Sequence, residues 1–403
     1  MRNWLRRICV QPHFLILSFS PFLILPVHAQ KKEISQARDI LKKGKNVEQA
    51  EKLMTGLLKD TVNLSNKRIY DLWLQAVGKQ YEQANERLYL KQKQDTAAFF
   101  DLTRRMFTIA ETLDSLDMQP DRKGRVNTEY RKDNATRLLA LRPNLFNGGT
   151  YHVRKHNYQK AFDFFEQYMD CCRQPLFGDH HLDSTDQRLP ETAYWATYCG
   201  YRLQNPLFTL RYRQIALRDT LKRELTLQYL AEARRWLKDD SLYVECLREG
   251  FRHYPTNAYF FPHLTDYYNA HSLYSQALEL ADSALAADSC SYLFTYAKAT
   301  ALFNLQRYDE SIALSDTLIA RNDSLPEPYY TAGTALLNKA LKLDPLRDKK
   351  ALRKTYQRAR HYMERYRNLA PEEKKKWGSP LYRIYLNLNM GRQFDEIDRL
   401  LKQ

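Results

Sequence analysis

An all-α chain of repeated helix pairs follows from three features of the sequence. Apolar residues recur three and four apart over long stretches, with Leu, Ala, Tyr, Arg and Lys interleaved, which is the spacing of one helix face. Glycine is scarce, 12 in 403 residues, no run alternates like a half-buried strand, and no Asn-Gly turn stands between β-branched runs. A fixed step completes the case. Residues 274–289, YSQALELADSALAADS, place Ala277, Ala281 and Ala284 on one helix face. One 34-residue step forward, at 308–323, YDESIALSDTLIARND puts Ser311 and Leu318 at the places of Ala277 and Ala284. One step back, DSLYVECLREGFRHYP puts Tyr243 and Gly250 there, and one further back NPLFTLRYRQIALRDT puts Thr209 and Ala216 there. Periods of about 20 to 50 residues mark stacked arrays.

Each block has a leading helix. In residues 258–271, AYFFPHLTDYYNAH, its apolar stripe is Phe261, Leu264 and Tyr268. Upstream, NLFNGGTYHVRKHNYQKAFDFFEQYMD carries Leu145, Gly149, Tyr158 and Ala161-x3-Phe165. These residues resemble the tetratricopeptide repeat, whose pattern runs W-x2-L-G-x2-Y, then A-x3-F, then P. The resemblance implies a right-handed α-solenoid. One such pair cannot bury its apolar face alone, so neighbours supply the core. The resemblance is good over residues 142–403 and loose over 31–141.

In chain order, residues 1–29 have the three parts of a secretory leader. Arg2, Arg6 and Arg7 start it, an apolar run spans 14–27, and Val27-His28-Ala29 suits cleavage after Ala29. The run contains Ser18, Ser20, Pro21 and Pro26 and is short of the roughly 20 residues a bilayer span needs, so an uncleaved anchor is the lesser alternative. Cys9 precedes the apolar run and is no lipobox cysteine, and no later segment resembles a transmembrane span. An exported protein of the periplasm or outer surface is expected. Residues 30–141 form an N-terminal helical segment with degenerate repeats. Ala50, Met54 and Leu57 fit the pattern, and residues 66–141 form long off-register helices around Trp73 and Phe99–Leu113. Residues 142–403 form the solenoid, with irregularities. Thr295 and Lys298 stand at the usual Trp and Leu places. Two steps are longer than the rest, from Ala161 to Thr209 and from Ser311 to Ala359. The first absorbs a loop near RQPLFGDHHLDSTDQRLP, and the second lengthens the helices around Asp344-Pro345. The block with Ile397 ends the array.

The formal charge is +16, and loss of the leader's three arginines leaves +13. An exported chain rarely meets nucleic acid, so this balance points to weak contact with anionic membrane surfaces instead. Cys171, Cys172, Cys199, Cys246 and Cys290 follow the leader. They suit small buried side chains, and a Cys172–Cys199 bridge is the alternative that an oxidising compartment allows. Asp240-Ser241-Leu242, Asp316-Thr317-Leu318 and Asp323-Ser324-Leu325 suggest helix caps. They also resemble O-glycosylation motifs of some exported Gram-negative proteins.

No phosphate loop, nucleophile elbow or dinucleotide fingerprint is present. Asp179, His180, His181, Asp183 and Asp186 are metal-capable types, but the histidines are adjacent and the cluster lacks an i, i+4 pair, so a solvated loop is expected. No enzyme, no cofactor and no metal are expected. On residues 347–367, Leu352, Tyr356, Ala359, Met363 and Tyr366 form a core stripe. Arg347, Lys350, Lys354, Arg358, His361 and Arg365 form a basic one, a solvated face or a dock for an acidic partner or anionic membrane. In the resembling family, the first helix of each pair lines a groove. Its groove positions fall on Tyr194, Tyr198, Tyr201, Arg202, Arg235, Trp236, Tyr259, Leu293, Tyr296, Phe303 and Tyr330. Tyr, Trp and Arg are the types enriched at binding hot spots. The expected function is a protein- or peptide-binding scaffold of the cell envelope; the alternative is a glycan-binding module using the same rings.

Overall fold

A computed structural model describes residues 25–121 and 123–402. Most of the predicted leader lies outside them. The described residues are helical, with no strand, and no helix among them is long and apolar enough to cross a membrane. The chain parts into two compact units, 1–199 and 200–403.

The first unit carries α1 (Leu25–Lys43), α2 (Val47–Leu57), α3 (Lys67–Tyr89), α4 (Thr96–Asp117), α5 (Arg131–Leu141), α6 (Pro143–Arg154), α7 (Tyr158–Asp170), the short α8 (Leu182–Thr185) and most of α9 (Leu189–Arg202). The two long helices expected in residues 66–141 are α3 and α4. Ala50 and Met54 of α2 are fully buried against Ile69 and Leu72 of α3. The α6–α7 pair shows why its pattern holds small residues. A Cβ at Gly149 would stand 2.4 Å from the Phe165 ring, so only glycine lets the two helices close this far.

The segment expected as a solvated loop is more ordered than its composition suggests. Pro175–His180 form a 3-10 helix that buries Leu176 and Phe177, with Phe177 6.0 Å from Phe107. The surrounding His and Asp residues hide this apolar pair in the sequence. Asp186 is no free acid either; it pairs with buried Arg142 at 2.7 Å. Among the described residues no group of three or more His, Cys, Asp or Glu could hold a metal ion.

The second unit completes α9 and adds α10 (Pro206–Arg211), α11 (Arg213–Ala216), α12 (Arg223–Trp236), α13 (Asp240–His253), α14 (Phe260–Ala270), α15 (Tyr274–Ala287), α16 (Tyr292–Asn304), α17 (Tyr308–Arg321), α18 (Pro326–Ala340), α19 (Lys349–Leu369), α20 (Lys374–Asn387) and α21 (Gly391–Lys402). The period is visible in the helix starts. Pro206, Asp240, Tyr274 and Tyr308 open α10, α13, α15 and α17, each one step of the period after the last. The turns repeat too. Gln204, Lys238, Ser272 and Gln306, on the same step, all hold positive φ, from 52° to 61°. The next residue donates its N–H five residues back: Asn205 to Gly200, Asp239 to Arg234, Leu273 to Tyr268 and Arg307 to Leu302. This is a Schellman stop, built without glycine. Asn205 and Asp239 then cap the following helix.

Two sequence expectations are corrected here. The Asp-Ser/Thr triplets are not caps. Asp239, not Asp240, caps α13; Asp316 and Thr317 lie inside α17; and α18 has no side-chain cap at Leu325. The triplet pattern recurs for different local reasons. The Cys172–Cys199 bridge is absent: all five described cysteines are free thiols, and Cys171 and Cys199 are buried as small apolar groups. Burial pushes both thiols well above the usual range.

Glu111 of α4 makes the first unit's stability depend on pH. Burial pushes its carboxyl up to about 7; Gln167 opposes this through a hydrogen bond and Asp170 adds to it. The folded chain therefore holds this proton more tightly than the unfolded one. Stability present at pH 4.5 falls as pH rises towards 7 and levels off above it. Glu111→Gln removes the charged form. Melts from pH 5 to 8 should show the variant gaining on the native chain as pH rises; a pH-independent gap would contradict the assignment.

Candidate partner-binding face

In the second unit the leading helices α12, α14, α16 and α18 present the predicted positions. On α12, Tyr229 and Trp236 lie seven residues apart, so two turns bring them to one face. Tyr201, at the end of α9, is stacked on both: its ring lies 4.5 Å from Tyr229 and 5.8 Å from Trp236, with interplanar angles of 23° and 16°. All three rings are half-buried, so part of the stack meets solvent. Arg202 beside it is exposed.

Next to the stack is a carboxylate the sequence reasoning passed over. Glu232 is only 9% exposed, and burying a carboxylate needs partners. It has two: Arg235 Nη2 at 2.5 Å on Oε2, and the Tyr259 hydroxyl donating to Oε1 at 2.6 Å. Glu232 thus ties α12 to the start of α14. Tyr259 stacks on His263 at 4.2 Å, and its N–H donates to Asn257 Oδ1 at 2.7 Å, which fixes the ring's entry. Burial, and then the hydrogen bond to Glu232, push the Tyr259 hydroxyl far above its usual range, so it stays a donor. Glu232 was reachable from sequence. It stands one step of the period after Tyr198, at the same groove position, but aromatic and arginine residues drew the attention.

Further along, Tyr296 of α16 lies parallel to Tyr292, with 6.1 Å between centroids. Tyr292 was not predicted, and its buried hydroxyl has no hydrogen-bond partner among the described residues. Burial, then the Glu327 carboxylate, push that hydroxyl up to about 12. Tyr330 of α18 is half-buried against Tyr366 at 5.1 Å, and Leu293 is exposed.

One predicted groove residue, Tyr194, is buried among neighbours, and Phe303 is partly so. Phe303, half-buried like Tyr330, lies 5.8 Å from Tyr308 and packs with Tyr330 against the core of α17–α21. Tyr194, in the first unit, is only 5% exposed, with its ring edge-on to Trp195. Repeat position fixes which way a side chain leaves the helix, not how deeply neighbours cover it. Tyr198, also in the first unit, is half-buried between Trp195 at 5.7 Å and Tyr158 at 6.0 Å.

Helix pairs on a constant step, joined by repeated turns, decide the architecture. The fold is a tetratricopeptide-repeat fold. Solved structures of the same class are similar to it. The C-terminal part of a TPR repeat-containing protein from Cytophaga hutchinsonii matches 62% of this chain and 92% of its own at 11% identity, with a TM-score of 0.43. A TPR repeats protein from Bacteroides fragilis matches 64% and 98% at 18% identity, TM-score 0.31. The TPR2AB domain of yeast Sti1, solved as a complex with pHSP90, matches 73% and 97% at 15% identity, TM-score 0.26. No family model matches the chain, and no curated protein does. The chain's own repeated step, with helices opening at Pro206, Asp240, Tyr274 and Tyr308, carries the fold.

Proposed function

We propose that the protein is a non-catalytic scaffold, exported to the cell envelope, that holds an extended segment of a partner protein against the leading helices of the second unit. One observation carries this. The half-buried Tyr201–Tyr229–Trp236 stack stands beside the Glu232–Arg235–Tyr259 cluster. Tyr, Trp and Arg are the types that carry most of the binding energy at protein interfaces. The rings are ordered before any partner arrives, which lowers the entropy cost of binding.

Flat Tyr and Trp faces also suit sugar rings, so a glycan is the second reading. Trp236→Ala combined with Tyr296→Ala separates the outcomes. Cross-linking capture from envelope extracts should recover a partner with the native chain and lose it about tenfold or more with the variant, at an unchanged melting temperature. Undiminished capture would sink the face as the binding site. Binding on a glycan array that the same variant abolishes would favour the sugar.

A further inference from the structure

The α18–α19 hairpin breaks the period in a directed way. The second helices α13, α15 and α17 are each 14 residues long, whereas α19 has 21. The regular step from Ser311 falls on Pro345, yet the small-residue place is taken by Ala359, fully buried and well beyond it. Seven extra residues on the α19 leg amount to about 10 Å at about 1.5 Å per residue. Most of the added length stays in solvent: from Lys349 to Lys354 only Leu352 is partly covered. The core of this repeat lies further along, at Tyr356, Ala359 and Met363.

The connection at the tip is ordered. Asp344 Oδ1 accepts from the N–H groups of Leu346 and Arg347, at 2.7 and 3.0 Å, and Asp348 Oδ2 accepts from the Asp344 N–H at 2.9 Å. Both acids are thus engaged with backbone. The turn holds two leucines outward, Leu341 at 63% exposure and Leu346 at 79%. A single exposed leucine is ordinary. Here two share one short connection with the start of a basic stripe, Arg347, Lys350, Lys354 and Arg358. Among the described residues none of these four is in an ion pair, while Arg365 at the far end of the stripe pairs with Asp323. Two shallow clefts lie along the stripe. One of about 410 Å³ is lined by Arg347, Lys350 and Lys354, and one of about 310 Å³ by Lys354, Arg358 and His361.

We propose that the α18–α19 tip is a docking edge for an anionic lipid surface, with Leu341 and Leu346 entering the headgroup boundary and Arg347, Lys350, Lys354 and Arg358 holding lipid phosphates. The leucines favour lipid over an acidic protein. Charge alone would serve a polyanion, but outward apolar side chains beside cations match the interfacial pattern of apolar insertion plus electrostatic attraction. This edge is independent of what the leading-helix face binds.

The test uses the chain expected after removal of residues 1–29, and vesicles of phosphatidylcholine with and without one-third phosphatidylglycerol, at about 0.1 M salt where the Debye length is about 10 Å. Co-sedimentation should occur only with the anionic vesicles and weaken as salt rises. Lys350→Gln, Lys354→Gln and Arg358→Gln together should reduce partitioning about 100-fold, since each cation near such a surface contributes about a factor of five. Leu341→Ser with Leu346→Ser should reduce it about tenfold or more, yet leave retention on immobilised poly-glutamate unchanged. Unaltered circular-dichroism melts establish that the variants fold. No anionic-vesicle binding, or binding that the charge variant leaves intact, overturns the proposal. Vesicle binding indifferent to the leucines, together with tight poly-glutamate retention, overturns it in favour of an acidic macromolecule.

Discussion

Gly200→Ala is expected to lower the melting temperature of the second unit by about 4–8 °C. A Cβ there would stand 2.3 Å from the backbone nitrogen of Thr209 and 2.7 Å from the carbonyl carbon of Phe208. Those atoms belong to α10, so no side chain can swing aside; α10 itself must move. Overpacking of this kind costs about 3 kcal/mol, the upper part of the usual range. Alanine's better helix propensity offsets about 1 kcal/mol. The net loss of about 2 kcal/mol gives the stated shift for a unit of this size. Along the period the same place holds Arg234, Tyr268, Leu302 and Leu336, so glycine here reflects the close approach of α9 and α10. Gly56→Ala in α2 is the control. Nothing lies within 4 Å of its Cβ position, and that substitution should raise stability by up to about 1 kcal/mol. Equal effects at the two sites, read by thermal melts, would show that propensity and not contact decides both.

The architecture was legible because it is periodic. Ala277, Ala281 and Ala284 are buried in α15, and the equivalent places one step away lie in helices that open in register with it. A repeated sequence solves the same packing problem each time, so its pattern states the answer several times over. The candidate face was less legible. Tyr201, Trp236 and Tyr259 were found by register, yet Tyr194 shares that register and is covered by neighbours. Glu232 went unnoticed because an acid in an aromatic face looks like a solvated residue until Tyr259, on the next leading helix, is seen to reach it. The insertion after α7 was misjudged for a related reason: two apolar residues, Leu176 and Phe177, have no period to show.

That insertion is also where the largest single loss is expected. Arg142 sits between α5 and α6 and is only 6% exposed. Its Nη1 lies 2.7 Å from Asp186, its Nη2 donates to the Tyr168 carbonyl at 3.1 Å, and the guanidinium lies 3.7 Å over the Tyr168 ring. One side chain thereby joins the α5–α6 junction, the last turn of α7 and the inserted segment. A cation at the carboxyl end of a helix is favourable in itself, because it meets carbonyls with no helical partner. Arg142→Met keeps much of the stem but strands the mostly buried Asp186 carboxylate, and should cost about 3–5 kcal/mol in urea unfolding. Asp186→Asn strands the guanidinium instead and should cost less, since the Tyr168 carbonyl and ring still receive it. The decisive quantity is the double variant. If the pair acts as a unit, Arg142→Met with Asp186→Asn removes both charges and should fall short of the summed single losses by about 2 kcal/mol. Strict additivity would mean that each residue acts through separate contacts and that the pair does not clamp the inserted segment.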